Sequence, residues 1–267
     1  MTEPLVLTER REPGIALLTL NRPDQLNAWG TDMAREFFNA LDTALANEDI
    51  RVVVVTGAGK GFCAGASMNA LNQIRADPSA GAGAATGVRT FTDIALAPKP
   101  VVAAINGAVA GVGLVLALFC DVRFTTPTAK FTTAFARRGL IAEYGSSWIL
   151  PRLVGMSHAL DLLLSGRVIS GAEAAHMGLV SAAVDADGLL DHALAYAADL
   201  SVNACPASWA VMKRQLMRDA VRPLEDATKD AIHLMNHSVT RSDFHEGVQS
   251  FLDRRAPAFA PYSPSNV

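Results

Sequence analysis

The stretch NGAVAGVGLVLALFCD, from Asn106 to Asp121, decides how the fold is interpreted. With the preceding VVAAI it makes an apolar run from Val101 to Cys120 that only Asn106 interrupts with a polar side chain. A run of about 20 apolar residues is long enough for a membrane-spanning helix. The Asn106-Gly107 pair, however, is a turn signal, and glycines follow it. We therefore predict a five-residue strand, a turn and an apolar helix from about Gly111, each too short to span a bilayer.

The composition is that of a globular enzyme. Half of the 267 residues are hydrophobic and 18% are charged, and the net charge of −3 argues against a nucleic-acid partner attracted by bulk charge. The N-terminus lacks the basic and apolar regions of a secretory signal. The three cysteines are odd in number and widely spaced, unlike a disulfide framework or a zinc site. We expect a reduced, soluble, cytoplasmic protein.

The first half of the chain predicts a largely parallel sheet. Leu5–Thr8 and Ile15–Leu20 are β-rich runs that suggest a hairpin, and the segment after Thr31 is an amphipathic helix with Thr31 as its N-cap. The four valines within Arg51–Thr56 predict a strand that is covered on both faces. A short helix should begin at Ser67.

The second half predicts further strands and then a helical region. The predicted elements are two short strands after Asp121, helices at Ser146–Leu153, Ser157–Ser165 and Ser170–Met177, a strand at Leu179–Val184, and helices from Asp187 to Ala256 broken at Pro206 and Pro223. This order indicates an α/β core over residues 1–200 and a helical C-terminal region over residues 201–267.

Two glycine-bearing turns each follow a buried strand: TGAGKGFCAGAS after Arg51–Thr56, and NGAVAGVGL after Val101–Ile105. Backbone N–H groups at such turns are unpaired, so two turns side by side can direct two donors at one oxygen, as in an oxyanion hole. Phosphate binding is an alternative, although neither turn has a complete dinucleotide or P-loop motif. Close backbone packing is a third explanation.

Few other residues suggest chemistry. Glu143 is an acid between apolar residues just before a predicted helix, which suits either a catalytic carboxylate or a loop acid stabilised by the helix dipole. His233 and His237 have the spacing of a zinc-binding pair, but no third ligand is evident, so no metal site is predicted. Ser146 and Ser147 are expected to cap the helix that starts there.

Seven ordered motifs resemble the crotonase (enoyl-CoA hydratase/isomerase) superfamily. They are LNRPDQLNAW, VVVVTGAGKGFCAGAS, KPVVAAINGAVAGVGL, CDVRF, AKFTTAFARRGL, SGRVISGAEAAHMGLVSAAV and EGVQSFLDRRAPAF. The resemblance implies a ClpP-like spiral of ββα units with a helical C-terminal trimerisation region, assembled as a homotrimer or as a hexamer of two trimers. It also implies an acyl-CoA thioester substrate whose enolate is stabilised, with no separate cofactor because CoA arrives with the substrate.

The resemblance assigns the catalytic groups. The oxyanion donors fall on the N–H groups of Ala66 and Val112, where G-V-G stands in place of the frequent G-G-G. The two glutamates of family hydratases fall on Val115 and Phe135, so ordinary hydratase chemistry is not expected. Glu143 falls where some family isomerases carry a single acid, which implies a double-bond isomerase. Hydration by Glu143 alone, and acyl-CoA binding without catalysis, are the alternatives.

The same resemblance implies a set of substrate-binding residues, in which Ser67 replaces the usual aspartate. They are Gln25, Leu26, Ala28, Ala64, Ser67, Met68, Gly111, Val115, Phe135, Trp148, Phe251 and Arg254, the last two reaching a CoA that a neighbouring subunit can hold. Ile141, Trp148, Phe135 and Val115 are expected to form an apolar shell that raises the pKa of Glu143. The small-residue loop Ala76–Gly87 is expected to form part of the acyl pocket.

Overall fold

The computed structural model describes residues 3–77 and 89–263, and within them the chain forms two sheets and ten α-helices. The strands are β1 Val6–Arg11, β2 Ile15–Leu20, β3 Val52–Gly57, β4 Gly61–Cys63, β5 Val101–Ile105, β6 Ala108–Ala110, β7 Val122–Thr125, β8 Lys130–Thr132, β9 Ile169–Ser170 and β10 Ala182–Ala183. The helices are α1 Thr31–Ala46, α2 Met68–Ala76, α3 Thr92–Ala95, α4 Val112–Phe119, α5 Ser146–Ser165, α6 Gly171–His176, α7 Leu189–Asn203, α8 Pro206–Asp219, α9 Leu224–Ser238 and α10 Ser242–Asp253.

The larger sheet has the order β1-β2-β3-β5-β7-β10 and carries the core. β1 and β2 form the predicted antiparallel hairpin, and the remaining neighbours are parallel. Every residue of β3 is buried because the sheet is covered on both faces. Val53 and Val55 belong to the apolar cluster that contains α1, whereas Val52 and Val54 belong to the one that contains α7. The four valines are therefore buried against helices on both faces of the sheet, as predicted.

The smaller sheet has the order β4-β6-β8-β9 and was not predicted as such. Each of the pairs β3/β4, β5/β6 and β7/β8 sends its first strand to the larger sheet and its second to the smaller one. The first two pairs are each followed by a helix, α2 or α4. This repeated ββα unit is the predicted crotonase-type spiral.

The apolar run from Val101 to Cys120 divides as expected. β5 spans Val101–Ile105, and α4 begins one residue after Gly111. The three-residue strand β6 lies between them. Among the described residues, no helix combines the length and the apolar character needed to cross a membrane.

Several element boundaries differ from the predictions. Thr31 is the first residue of α1 and not its cap; the N-cap is Gly30, which has no side chain to donate or accept a hydrogen bond. The helices predicted at 146–153 and 157–165 both lie within α5, and the predicted break between them is confirmed as a kink at Gly155, whose backbone is non-helical with φ 77°. Gly145, and neither serine, is the N-cap of α5. The last strand, predicted at Leu179–Val184, spans only Ala182–Ala183 in the structure.

The C-terminal half of the chain is helical, as predicted, with one further break. α9 and α10 are separated near Val239–Arg241 in addition to the breaks at Pro206 and Pro223. The expected division at residue 200 lies within α7, which packs on the larger sheet, and it remains a prediction. Most of the loop expected at Ala76–Gly87 lies outside the described residues. All three cysteines are free.

Candidate active site

The two glycine-bearing loops are packed against each other. β4 pairs in parallel with β6, so the residues that follow these strands are neighbours. A Cβ atom on Gly113 would clash with the Cys63 carbonyl oxygen and lie 2.6 Å from the Cys63 Sγ. A Cβ atom on Gly65 would lie 3.0 Å from the Ala110 carbonyl oxygen. The glycines thus allow a backbone approach that larger residues would prevent.

The amides of Ala66 and Val112 follow the two positive-φ glycines of these loops. Gly65 has φ 102° and Gly111 has φ 48°, so the left-handed conformation falls on glycine and Val112 begins α4 with ordinary backbone. Within residues 3–77 and 89–263, neither the Ala66 nor the Val112 amide donates to a protein acceptor. Ala66 is exposed, and Val112 is buried. Both donors are therefore available to a ligand, and Val112 adds the N-terminal charge of a helix.

The segment from Leu26 to Trp29 runs beside the first loop. Ala64 donates its N–H to the Leu26 carbonyl oxygen (3.0 Å), and Ser67 donates to that of Trp29 (2.8 Å). The Trp29 N–H donates to the Gly65 carbonyl oxygen (2.7 Å). These bonds pair Trp29 with Ala66 in an isolated parallel bridge, and the half-buried Ala28 is the residue before Trp29.

Asn27 is a residue that the sequence analysis missed. Its side chain is fully buried, accepts the Arg22 N–H (2.8 Å) and donates to the carbonyl oxygens of Ala58 (3.0 Å) and Gly61 (2.8 Å). It also has φ 57°, a left-handed conformation that asparagine tolerates. Asn27 therefore holds the substrate-side segment against the start of β4. An asparagine a few residues after Pro23, in a stretch of turn-forming residues, was the available signal.

Val115 and Phe135 place two buried apolar side chains near Gly111. Val115 lies one helical turn beyond Gly111 and donates its N–H to the Gly111 carbonyl oxygen (3.1 Å). The edge of the Phe135 ring is 3.9 Å from the position of a Cβ atom on Gly111. Both are at most 4% exposed. Neither side chain can therefore act as a catalytic acid or base.

Glu143 lies in the loop before α5 and is half-buried. Its carboxylate has no hydrogen-bond or ion-pair partner within the described chain. Burial raises the pKa of Glu143 above its ordinary value. Burial and then the charge of Glu143 raise the pKa of Tyr144. The structure thus contains an isolated, partly desolvated carboxyl group in this loop.

One of the four residues expected to form an apolar shell around Glu143 is exposed, and the packing of the other three against Glu143 remains a prediction. Val115 and Phe135 are buried and Trp148 is half-buried, but the Ile141 side chain is 80% exposed and provides no burial. Ile141 lies in the irregular loop before α5 and is not part of either described core cluster. The Trp148 ring instead stacks under the Arg152 guanidinium at 3.9 Å.

Comparison with known proteins identifies the family of the chain. The family model described as "Enoyl-CoA hydratase/isomerase" matches residues 10–261. The chain belongs to the enoyl-CoA hydratase/isomerase family. It is 34% identical to a protein of Escherichia coli K12 named 1,2-epoxyphenylacetyl-CoA isomerase, over 93% of this chain and 95% of that one.

Solved structures of this family share the fold. A Mycobacterium abscessus structure described as a putative enoyl-CoA hydratase/isomerase superposes with a TM-score of 0.87 at 33% identity, covering 96% of this chain and all of that one. An enoyl-CoA hydratase from Mycobacterium marinum is 48% identical, with a TM-score of 0.71, and covers 82% of this chain and all of that one. The crotonase fold is therefore shown, and the protein is an acyl-CoA enzyme of the hydratase/isomerase family.

The remaining family-derived site residues fall in two places. Gln25 and Leu26 are exposed around a short 3₁₀ turn, and the exposed Met68 begins α2. Ser67 is buried, and its Oγ accepts the Ala70 N–H (3.2 Å), so it caps α2. These residues adjoin the glycine loops.

Phe251 and Arg254 lie apart, at the end of α10. Phe251 is 82% exposed and lines a surface cleft of about 480 Å³ formed by C-terminal residues. Arg254 is the left-handed C-cap of the helix, with φ 53°. Neither residue joins the glycine loops within one described chain, and a role toward a neighbouring subunit remains a prediction.

Proposed function

We propose that the protein isomerises the double bond of an enoyl-CoA, with Glu143 as the acid and base. The amides of Ala66 and Val112 bind the thioester oxygen. Glu143 removes a C2 proton from a 3-enoyl-CoA, and the electron pair moves into the thioester to form a dienolate. The same carboxyl group returns the proton at C4, which leaves a conjugated 2-enoyl-CoA with no atom gained or lost.

The observation that carries this proposal is the distribution of carboxylates. Val115 and Phe135 are buried and apolar, whereas Glu143 is half-buried and without a partner. A shift of a double bond needs one group that accepts and then donates a proton, and one carboxyl group can do both. A pKa raised by burial suits this exchange. The isomerase name of the Escherichia coli relative agrees with a reaction of this class.

The decisive assay follows conjugation of a 3-enoyl-CoA in the ultraviolet. We expect the Glu143→Gln variant to lose roughly 10²–10⁴-fold in rate, as for removal of a general acid–base group. Glu48→Gln, at an exposed turn after α1, is the matched control and should keep wild-type activity. Undiminished turnover by Glu143→Gln would remove this residue from the mechanism.

Hydration is the second candidate, because the Mycobacterium marinum structure carries a hydratase name. In that case Glu143 alone would activate water, and the pure protein would remove the absorbance of a 2-enoyl-CoA. The same substrate panel distinguishes the two reactions. Tight binding of every thioester without turnover would instead identify a non-catalytic acyl-CoA-binding protein.

We also propose that the chain assembles as a homotrimer or as a hexamer of two trimers. Large apolar side chains are exposed on three successive C-terminal helices, including Leu216 on α8, Leu224 on α9 and Phe251 on α10, each at least 70% exposed. Such surfaces are typical of protein interfaces. Light scattering should give three or six times the 28.2 kDa chain mass, and a monomer would contradict the proposal.

A further inference from the structure

The hydroxyl group of Ser146 is buried and has no hydrogen-bond partner. Ser146 is 1% exposed and is the first residue of α5. Its Oγ is one of two buried side-chain oxygen or nitrogen atoms in the described residues for which no partner is present. A buried hydroxyl without a partner is costly and needs an explanation, of which a partner gained on ligand binding is one.

Ser146 and Glu143 are the two ends of one tight turn. The Ser146 N–H donates to the Glu143 carbonyl oxygen (2.9 Å), and the two central residues both have positive φ, 51° at Tyr144 and 78° at Gly145. In a turn of this kind the two end residues have their Cα atoms within about 7 Å of each other. The unpartnered hydroxyl and the unpartnered carboxylate therefore belong to residues whose Cα atoms lie close together.

A capping role does not explain the hydroxyl group. The N-cap of α5 is Gly145, and Ser146 makes no side-chain bond to the helix backbone. By contrast, Ser67 and Ser170 cap α2 and α6 with their Oγ atoms. Ser146 thus differs from the serines of this chain whose hydroxyl groups stabilise a helix end.

Apart from the exposed His158, the charged groups on the surrounding elements have partners elsewhere. α5 packs on α4, whose residues are all apolar or glycine, and on the 3₁₀ turn Ala136–Arg138; Phe91 and Thr92 contact Tyr144 and Gly145. Arg137 and Arg138 donate to the Ser165 and Ala134 carbonyl oxygens, and Arg89 is paired with Asp93. On α5, Arg152 donates to the Trp148 carbonyl oxygen and Asp161 is paired with Arg167. His158 is the other titratable residue of α5. Tyr144 is the neighbour whose pKa registers the charge of Glu143. Among the described residues next to Glu143 in sequence, Tyr144 also has a hydroxyl group without a partner, but Tyr144 is 43% exposed, whereas the unpartnered hydroxyl group of Ser146 is buried.

We propose that Ser146 is a positioning residue that donates a hydrogen bond from Oγ to the Glu143 carboxylate when the acyl-CoA is bound. This inference rests on the proposed role of Glu143. The Glu143 side chain rotates about its single bonds to reach the hydroxyl, because the two atoms are not within bonding distance in the unliganded chain. The bond then fixes one carboxylate oxygen and leaves the other to take the substrate proton. It also stabilises the ionised carboxylate, which is the form that acts as the base.

The test compares Ser146→Ala with Ser147→Ala, a matched variant at the exposed next position. We expect Ser146→Ala to lower kcat by roughly ten- to a hundredfold, the range for a hydrogen bond to a charged group, with little change in KM. The pH at which its rate increases should be higher than that of the wild type, because loss of the donor raises the pKa of Glu143 in the complex. Its melting temperature should be unchanged or higher, because the removed hydroxyl has no partner in the free chain. Ser147→Ala should match the wild type in all three measurements.

The outcomes separate this inference from the proposed function. If Glu143→Gln is inactive but Ser146→Ala keeps both the kcat and the pH profile of the wild type, the positioning role is wrong and the role of Glu143 stands. If Glu143→Gln is fully active, the proposed function itself fails. If Ser146→Ala loses activity and also melts at a lower temperature, the hydroxyl has a structural role, which overturns the inference. Infrared titration of Glu143 with bound product provides a readout that is independent of turnover, and an identical carboxyl pKa in the wild type and Ser146→Ala would also overturn it.

Discussion

At the scale of single residues, the proposed oxyanion site depends on a main-chain donor that can be removed by one substitution. Val112 is the first residue of α4, where proline is tolerated because the N–H has no helical acceptor. Val112→Pro should therefore keep the helix and delete the donor. We expect kcat to fall by roughly 10²–10³-fold, as for loss of one donor from an oxyanion hole.

Circular dichroism and the melting temperature are the controls for Val112→Pro. A folded variant with wild-type kcat would show that this amide does not bind the reacting oxygen. Val112→Ala keeps the amide and the helix and should retain most of the activity.

The raised pKa of Glu143 also implies that the stability of the fold depends on pH. Burial raises the pKa of its carboxyl group, so ionisation is easier in the unfolded chain than in the folded one. The folded wild type therefore loses stability as the pH rises from the ordinary range of a glutamate through the raised pKa. Glu143→Gln cannot ionise and should melt higher than the wild type at neutral pH, and the difference should vanish in acid.

Melting temperatures measured across this pH range test that dependence. The exposed Glu3→Gln should show no such pH-dependent gap. A constant difference between Glu143→Gln and the wild type at every pH would show that burial does not perturb this group.

At the scale of elements, the approach of α4 to β4 is set by Gly113. A helix interior normally gains about 1 kcal/mol when alanine replaces glycine. Here the added Cβ atom would meet the carbonyl oxygen and Sγ of Cys63, so we expect Gly113→Ala to lower the free energy of unfolding by about 1–3 kcal/mol. It should also lower the activity, because the two glycine loops would move apart.

Gly188→Ala is the matched control, since a Cβ atom there meets nothing within 4 Å and its φ is −106°. Chemical denaturation should place it within about 0.5 kcal/mol of the wild type. Equal stability of Gly113→Ala and Gly188→Ala would contradict the tight packing of the loops.

The elements also show which local patterns were informative. β5 was predicted with its observed ends because an apolar β-rich run stops at an Asn-Gly turn. β4 and β6 were missed because three residues are too few to show a period of two. Their pairing with each other and with β8 forms them, and that pairing is absent from any local window.

At the scale of the whole molecule, one ion pair ties the C-terminal helices to the core. The Lys213 Nζ on α8 lies 2.6 Å from Asp121 Oδ2 and donates to the carbonyl oxygens of Ile94 (3.3 Å) and Lys99 (3.2 Å). Asp121 Oδ2 also accepts the Val101 N–H (2.7 Å) at the start of β5. Burial raises the pKa of Asp121, and Lys213 opposes that effect.

Lys213→Met should therefore leave a carboxylate without its cation. The two side chains remain 11% and 23% exposed, so we expect a loss in the free energy of unfolding below the ~3–5 kcal/mol of a fully buried pair. The loss should be largest at neutral pH and shrink in acid, because Asp121 then becomes neutral.

Lys229→Met is the control, because its ion pair with Glu225 is exposed and worth only about 0.3–0.5 kcal/mol. Denaturation curves at neutral and acidic pH make the comparison. Equal, pH-independent effects of the two variants would show that the Lys213 pair does not anchor α8.

The sequence by itself determined the properties that lie within one element. The valines of β3 required cover on both faces, the Asn-Gly pair divided the apolar run, and ordered motifs indicated the family and a single carboxylate at Glu143. Such properties are encoded by neighbouring residues, since periodicity and turn chemistry act over a few positions.

Only the tertiary structure decided the contacts between distant segments. It packed Gly113 on Cys63, buried Asn27 beside β4, left Ile141 exposed and enclosed the Ser146 hydroxyl group without a partner. Each of these outcomes depends on which surfaces meet when the two sheets and their helices close around the core. That choice is made by the packing of the whole chain, because no local pattern records which distant atoms become neighbours.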